Sequence, residues 1–367
     1  MQKLTTMHLR LPRGTESLLL EEAARHRTII RRLEELYEGW GYLPAQTPVV
    51  DFAELYQPLL PEESSRQAYR LIDREGELLM LRLDITLFLA KQLGMRLSEE
   101  ELPVRVCYSD SILRYEARHD ISKNEFFQSG VELIGVSGTD GDLEALLLLQ
   151  EALEAAGAER YALHVGSSAL LRATVEATGG LSEQRAREMI IARRFEELEE
   201  RLSSCGVSRR RVEALLELYR LIGSPREVAD TVEEFRGELT EAEMAEVASL
   251  LALMENLEQL RPAPRERPVR VDLSEVGSRS YYTGVSFEAY VDRLDSAIAN
   301  GGRYDNLLAS FGFPAPSVGF SLLPRKIASL RQRQMTLPPV ETATGASLKE
   351  RYLAAREARA AGRRVRL

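Results

Sequence analysis

The order of apolar and polar residues predicts a chain that begins with a helix, continues with strands and is helical through its middle part. Residues 16–40 carry apolar side chains at spacings near three and four, the pattern of an amphipathic helix. Gly39 and Gly41 mark the end of this helix. Extended runs are predicted at 67–72, 78–82, 103–116 and 124–136. A polar connection joins the last two runs, and we expect them to form an antiparallel hairpin.

The rest of the chain predicts helices with few strands. A helix is expected at 142–156, and the pattern from about 166 to 262 is almost purely helical, with no convincing strand. Glycines at Gly179, Gly206 and Gly223 separate these helices. The expected division is a core of residues 1–165 and 266–333, a helical insertion of residues 166–265, and a short C-terminal tail of residues 334–367.

Composition excludes several classes of protein and points to no cofactor. The net charge of −9 gives no broad attraction for nucleic acid, and the arginines of the middle region alternate with glutamates, as on a solvated helix face. Cys107 and Cys205 lie far apart and form no metal-ligand pair. The N-terminus is too polar for a signal peptide, and no run approaches the ~18 apolar residues of a membrane span. We expect a soluble cytoplasmic protein without a bound metal or cofactor.

Three segments resemble the histidine-binding core of histidyl-tRNA synthetase, a class II aminoacyl-tRNA synthetase. They read LRYEARHDISKNEFFQSGVELIG at 113–135, YYTGVSFE at 281–288 and GGRYDNLL at 301–308. The resemblance implies an α+β fold, with an antiparallel sheet flanked by helices and carrying a helical insertion. GGRYDNLL is expected to be a glycine-rich turn into a helix. The first helix, with Thr47 and Pro48 after it, resembles motif 1 of the class, which implies a homodimer paired through this segment.

Gln128 and Glu132 are four residues apart on a predicted strand, and they therefore point to the same face of the sheet. In the resemblance, these two residues contact histidine, Asp84 holds its α-amino group, and a tyrosine pair closes over the imidazole ring. The implied histidine site comprises Asp84, Thr86, Arg114, Gln128, Glu132, Tyr281 and Tyr282.

The arginines that activate an amino acid in the synthetases are largely absent. Activation develops negative charge at the α-phosphate of ATP, and fixed cations aimed at that point stabilise it. The corresponding positions here are Gly277, Ser122, Asn124 and Lys326. Arg279 lies two residues after Gly277, and alternation would keep it on the same face. Arg325 is displaced by one residue, roughly 100° around a helix, and is expected to face elsewhere. The site is therefore expected to bind without catalysing.

This pattern of retained and lost residues resembles the regulatory subunits of ATP phosphoribosyltransferase over about residues 10–330. That resemblance implies a short-form catalytic subunit as partner in the first step of histidine biosynthesis, with L-histidine as a feedback effector. The tail KERYLAAREARAAGRRVRL resembles only one helix and strand of an anticodon-binding domain, and no tRNA partner is expected. Two alternatives stay open: a truncated or split histidyl-tRNA synthetase, and another synthetase-like paralogue with a different partner.

Overall fold

The computed structural model describes residues 11, 12, 14–115, 124–292, 294, 296–330 and 339–367. Its helices are α1 Leu20–Gly39, α2 Glu62–Gln67, α3 Ile85–Gly94, α4 Gly138–Ala156, α5 Ser168–Thr178, α6 Glu183–Ile191, α7 Phe195–Ser204, α8 Arg209–Arg220, α9 Pro225–Glu234, α10 Glu241–Leu260, α11 Pro324–Leu330 and α12 Leu348–Ala360. Its strands are β1 Leu43–Pro44, β2 Val50–Phe52, β3 Arg70–Ile72, β4 Leu78–Leu81, β5 Val104–Leu113, β6 Glu125–Ile134, β7 Ala162–Ser167, β8 Ile222–Gly223, β9 Val269–Asp272, β10 Val285–Tyr290, β11 Ala299–Arg303, β12 Ser317–Leu322, β13 Glu341–Thr342 and β14 Val365–Arg366.

Nine of the described strands form one sheet, in the order β1-β5-β6-β12-β11-β10-β7-β9-β8. The neighbours pair antiparallel except for β1 with β5 and β7 with β9, which are parallel. The predicted hairpin is the pair β5–β6, with Ser109 opposite Ser129. The expected α+β fold is confirmed, since helices flank a sheet whose central strands are antiparallel.

Alternation along β6 separates two apolar cores on the two faces of this sheet. Val131 and Leu133 pack with the buried side of α1, where Ile29 and Leu33 lie one helical turn apart. Ile134 points to the opposite face and joins a second cluster that includes residues of α3 and the ring of Tyr304. The polar residues at even positions of β6 therefore lie on the second face, beneath α3.

The region between β7 and β9 is helical, as expected, with one exception. Helices α6, α8, α9 and α10 each begin after a serine or threonine whose side-chain oxygen accepts a backbone N–H of the first turn. The prediction of no strand was wrong at β8, which pairs with β9. A two-residue strand is too short to produce an alternating pattern. Buried residues of these helices belong to the same cluster as those of α1 and β6, and the proposed division into core and insertion stays a prediction.

One local prediction needs correction. The glycines of GGRYDNLL lie in β11 rather than in a turn, and the helix expected after them is a short 3₁₀ helix at Leu308–Phe311. A Cβ on Gly301 would come within 2.3 Å of the Phe287 ring, so close packing on a strand explains this glycine. Tyr281 and Tyr282 lie in the turn before β10.

The C-terminal segment contains the predicted helix as α12, and β13 and β14 pair in parallel on either side of it in sequence. Residues 334–338, the start of the predicted C-terminal tail, lie outside the described residues. Across the described part of the chain, none of the helices has the length and apolar content that crossing a membrane would require.

Candidate functional site

A small polar cavity lies between the second face of the sheet, the start of α3 and the loop at 273–284. It is lined by Asp84, Thr86, Glu132, Arg279, Tyr281, Tyr282, Asn300, Tyr304, Gly319, Phe320 and Ser321. Five of the seven predicted histidine-site residues are in this set, although they come from three separate parts of the sequence. The free volume open to the centre of a water molecule is about 10 Å³, which is room for about one water.

Asp84 is held in place by its position at the N-terminus of α3. Its Oδ1 accepts a hydrogen bond of 3.1 Å from the backbone N–H of Leu87, which makes it the N-cap of the helix. Its Oδ2 lies 3.2 Å from Nη2 of Arg279 and accepts a 3.3 Å hydrogen bond from the Tyr281 hydroxyl. One oxygen therefore fixes the helix, and the other faces the cavity.

Glu132 is the second carboxyl group of the cavity and is buried. The Thr86 hydroxyl donates to its Oε1 at 2.5 Å and the Tyr108 hydroxyl at 3.4 Å, while the Tyr304 hydroxyl donates to its Oε2. Burial raises the pKa of Glu132 from 4.5 to about 8, although these hydroxyls act in the opposite direction. This carboxyl group is therefore mostly protonated near neutral pH.

A glycine on the neighbouring strand makes room for Glu132. Gly319 of β12 lies directly opposite Glu132 in the sheet, and a Cβ there would be 1.8 Å from Glu132 Oε2. Gly130 similarly faces Tyr108, whose hydroxyl oxygen would lie 2.8 Å from an added Cβ. These two glycines allow a carboxyl group and a tyrosine to lie flat against the sheet.

The remaining two predicted site residues do not line the cavity. Gln128 is buried beside it, and its Nε2 donates to Oγ of Ser321 at 3.3 Å. Arg114 lies at the far end of the hairpin, with its guanidinium 5.1 Å from the centroid of the Phe126 ring. The predicted shared face of Gln128 and Glu132 agrees with the sheet register.

Sequence reasoning missed the roles of Arg279, Tyr304 and Tyr108. Arg279 is in a loop, so strand alternation does not apply to it, yet its side chain reaches the cavity and is largely buried. Tyr304 follows the glycines of the quoted segment GGRYDNLL, which was an available signal. Tyr108 had none, because its position opposite Gly130 depends on the register of the hairpin.

Among the positions of the missing phosphate-binding arginines, Gly277, Asn124 and Lys326 do not line the cavity. The Lys326 ammonium donates to Oγ of Ser296 at 2.6 Å, and Asn124 accepts a backbone contact from Arg114 at the end of the hairpin. Arg325 lies 3.7 Å from Glu125, whose side chain is on the opposite face of β6 from Gln128. Arg325 therefore faces away from the Gln128 side of the sheet, as the displacement of this arginine by one residue predicts. Ser122 is among residues 116–123, which lie outside the described residues.

Comparison with known proteins places this geometry in a family. The sequence model of the histidyl-tRNA synthetase family matches residues 14–327. The ATP phosphoribosyltransferase regulatory subunit of Moorella thermoacetica is 35% identical over 325 residues, covering 87% of this chain and 81% of the relative. The corresponding protein of Desulfitobacterium hafniense Y51 is 29% identical over 367 residues, 99% of this chain and 92% of the relative.

The chain belongs to the ATP phosphoribosyltransferase regulatory subunits of the histidyl-tRNA synthetase family.

Solved structures agree with this assignment. An ATP phosphoribosyltransferase regulatory subunit/histidyl-tRNA synthetase from Bacillus halodurans C superposes with a TM-score of 0.81 at 28% identity, covering 97% of this chain and 91% of that one. A histidyl-tRNA synthetase from Nostoc sp. PCC 7120 has a TM-score of 0.77 at 21% identity, which supports the fold alone. The class II synthetase-like fold expected from the three segments is confirmed.

Proposed function

We propose that this chain is a non-catalytic regulatory subunit of ATP phosphoribosyltransferase, acting in the cytoplasm in the first step of histidine biosynthesis. It assembles with a short-form catalytic subunit, permits its activity and transmits inhibition by L-histidine bound in the cavity. One observation carries the proposal. The cavity gathers Asp84, Thr86, Glu132 and the tyrosine pair, while the positions of the phosphate-binding arginines hold Gly277, Asn124 and Lys326.

A buried acceptor beside the cavity supports a ligand with hydrogen-bond donors. Oε1 of Gln128 is buried and has no hydrogen-bond partner among the described residues. Leaving a buried acceptor unsatisfied costs about 1–3 kcal/mol, so a ligand that donates to it gains binding energy. Both the ammonium group and the imidazole N–H of histidine are donors of this kind.

The closed cavity supports regulation by a change of conformation. Room for about one water does not accommodate an amino acid, so a ligand enters only if side chains such as Arg279 and Tyr281 move. A ligand that binds the open arrangement better than the closed one shifts the population between them. A coupling of ~1–3 kcal/mol is enough to change the activity of a partner subunit severalfold.

Reconstitution with a catalytic subunit tests the role directly. The purified chain, mixed with a short-form ATP phosphoribosyltransferase from the same organism, is expected to form a stable complex with higher phosphoribosyl transfer from 5-phosphoribosyl diphosphate to ATP. Histidine is expected to inhibit that complex, and Glu132→Ala is expected to relieve the inhibition while leaving assembly intact. Absence of both co-elution and activation would overturn the regulatory assignment.

An active synthetase remains the second candidate, because Arg279 supplies a cation to the cavity where Gly277 has none. Histidine-dependent exchange between pyrophosphate and ATP measures the activation step. We expect no exchange above background, since a single arginine does not replace the loop and motif 3 cations that stabilise the α-phosphate. Exchange that is lost in Arg279→Met would establish the synthetase instead.

The proposal also includes a homodimer paired through the segment that resembles motif 1. Two strands near this segment carry side chains that are strongly exposed in the single chain, with Leu43 and Ile72 each 71% accessible. Further exposed apolar residues of the region are Val49, Val50, Phe52, Leu71 and Leu78. Exposed apolar groups concentrated in this way are typical of an interaction surface.

A further inference from the structure

We infer that Asp84 and Arg279 form a clamp for the two charges of an α-amino acid, in which Arg279 receives the ligand carboxylate. In this structure the two side chains pair with each other. When an amino acid enters, its ammonium group takes Asp84 and its carboxylate takes Arg279. The inference rests on the proposed function, because it assigns the cavity to an amino acid, and it names the residue that recognises the carboxylate end.

Arg279 is placed for this role by its contact with Asp84. Its Nη2 lies 3.2 Å from Oδ2 of Asp84, the oxygen that faces the cavity rather than the helix. The Arg279 side chain is 15% exposed. Burial acts to lower the pKa of Arg279, but the Asp84 carboxylate, together with the acidic groups of Tyr281, Tyr282 and Glu288, raises this pKa above the usual range. The guanidinium is therefore a fixed positive charge in the wall of the cavity.

The charge balance of the cavity fits a zwitterion. Arg279 is the single basic side chain among the described residues that line it, and its acidic residues are Asp84 and Glu132. Because the pKa of Glu132 is about 8, that group is mostly neutral near pH 7. One carboxylate and one guanidinium remain. A ligand with one ammonium and one carboxylate group complements both.

A zwitterion separates this ion pair without leaving a buried charge unpaired. Removing one partner of a buried ion pair is strongly unfavourable, because the remaining charge loses its compensation. An α-amino acid carries its ammonium and carboxylate groups on the same carbon atom and so replaces one ion pair with two. A ligand without the ammonium group leaves Asp84 unpaired when it separates the two side chains, and a ligand without the carboxylate leaves Arg279 unpaired.

The backbone explains why the cation comes from position 279 rather than 277. Gly277 has φ +82°, and a Cβ there would lie 2.6 Å from Oγ of Ser168 and 2.7 Å from Cδ2 of Tyr282. Arg187 donates to the carbonyl oxygen of Gly277 at 2.9 Å and also to that of Val276. An arginine at 277 is incompatible with this anchored loop, and Arg279 is the loop's own cation at the cavity.

Calorimetry with three related ligands tests the clamp. The ligands are histidine, histidinol, which lacks the carboxylate, and imidazolepropionate, which lacks the ammonium group. The wild-type protein is expected to bind histidine at least about tenfold more tightly than either analogue. In Arg279→Met, histidine affinity is expected to fall by at least about tenfold, to the level of histidinol, while histidinol affinity does not fall. Arg279→Lys is expected to recover part of the loss.

Arg193→Met is the matched control, since Arg193 is half-exposed, follows α6 and contacts Ser274 of the same loop outside the cavity. It is expected to keep wild-type affinities. If Arg279 only blocks the Asp84 site, Arg279→Met binds histidine and histidinol more tightly, and the clamp is refuted. Equal wild-type affinities for histidine and histidinol also refute it. Thermal melting of each variant checks folding, and the lysine variant tests the clamp if the methionine variant does not fold.

The melting temperature of the protein, measured with each of the common amino acids, shows which of the two ideas fails: the clamp or histidine as the effector. If the protein binds a different amino acid and not histidine, the effector is wrong, and the same comparison with that amino acid's amine and acid analogues decides the clamp. If histidine binds but Arg279→Met keeps its affinity, the clamp is wrong and the effector stands. If no amino acid binds at millimolar concentration, both are overturned.

Discussion

The Glu132 carboxyl group is expected to make the stability of the protein depend on pH. Its pKa is about 8 in the folded chain, because of burial, against an ordinary 4.5. Between these pH values the folded state holds a proton on Glu132 that the unfolded state has released. The contribution of Glu132 to the free energy of unfolding is therefore fully present below about pH 4.5, and it is lost as the pH rises through about 8. Relative to Glu132→Gln, which does not titrate, the wild type is expected to lose up to about 1.4 kcal/mol per pH unit in this window.

Urea unfolding of both proteins at several pH values from about 5 to about 9 measures this difference. Glu255→Gln serves as the control, since Glu255 is an exposed glutamate on α10. Its stability difference from the wild type is expected to vary little with pH. A pH-independent difference between Glu132→Gln and the wild type would contradict the assignment of a buried, protonated carboxyl group.

Sequence reasoning was accurate where a strand fixed the direction of a side chain. Alternation in β6 predicted that Glu132 and Gln128 share a face of the sheet, whereas Asp84 was assigned through the resemblance alone. Arg114 was placed by motif order alone, and the structure puts it against Phe126 instead. Arg279 was undecided because the direction of a loop side chain depends on long-range contacts, here with Asp84, which is far away in the sequence.

At the scale of one element, the loop at 273–284 depends on a glycine that tolerates no side chain. Gly277→Ala is expected to destabilise the protein by about 2–4 kcal/mol, because it combines a left-handed conformation with contacts below 3 Å to Ser168 and Tyr282. Gly206→Ala is the matched control, with φ +79° and no atom within 4 Å of the added Cβ. It is expected to cost only about 1–2 kcal/mol. If Gly277→Ala and Gly206→Ala lost equal stability in thermal or urea unfolding, Ser168 and Tyr282 would be moving away from the added methyl group at no cost in free energy.

Arg82 ties together the segments that surround Asp84. It is 1% exposed, donates to the carbonyl and the hydroxyl of Thr47 at 2.9 Å each and to the carbonyl of Ser111 at 2.7 Å, and lies 2.9 Å from the Asp110 carboxylate. Arg82→Met leaves the buried Thr47 oxygens and the half-buried Ser111 carbonyl without their donor, and it removes the ion-pair partner of Asp110, whose side chain is 40% exposed. We expect a loss of about 2–3 kcal/mol in the free energy of unfolding, measured with urea.

Arg66→Met provides the comparison for Arg82, because Arg66 makes an exposed ion pair with Glu62 one turn away on α2. The free energy of unfolding of Arg66→Met is expected to lie within about 0.5 kcal/mol of the wild-type value. If Arg82→Met were equally mild, the buried contacts would contribute little to holding the motif 1 segment on the sheet.

The elements themselves were predicted where their length gave a clear period. Helix α1 buries Ile29, Leu33 and Tyr37 at intervals of four, and the β5–β6 hairpin is ten residues long on each side. The two-residue β8 is too short to give a period, and the glycines of β11 predict a turn because glycine is common in turns. Their actual cause is packing against Phe287 across the strands, which no local pattern contains.

At the scale of the whole molecule, the sheet separates an apolar packing face from a face with a polar cavity. One face packs on α1 and α4 and is apolar, whereas the other carries the carboxyl, hydroxyl and guanidinium groups of the cavity. This separation follows from alternation and was predictable once the hairpin was recognised. The closure of the cavity was not predictable, since it results from side chains of α3, β6 and the loop at 273–284 meeting in three dimensions.

The exposed apolar surface near motif 1 leads to a prediction about assembly. If two copies pair through it, the wild type is expected to elute with a mass twice the 41.3 kDa of one chain. Phe52, on β2, is 43% exposed in the single chain, and Phe52→Asp would place a charge in the interface. The dimer is expected to weaken by at least about tenfold, because desolvating an unpaired charge opposes association.

Light scattering across a dilution series measures the change in dimer affinity. Leu260→Asp, at the end of α10 and 65% exposed, is the control that keeps the dimer; loss of the dimer in that variant and not in Phe52→Asp would move the interface away from motif 1.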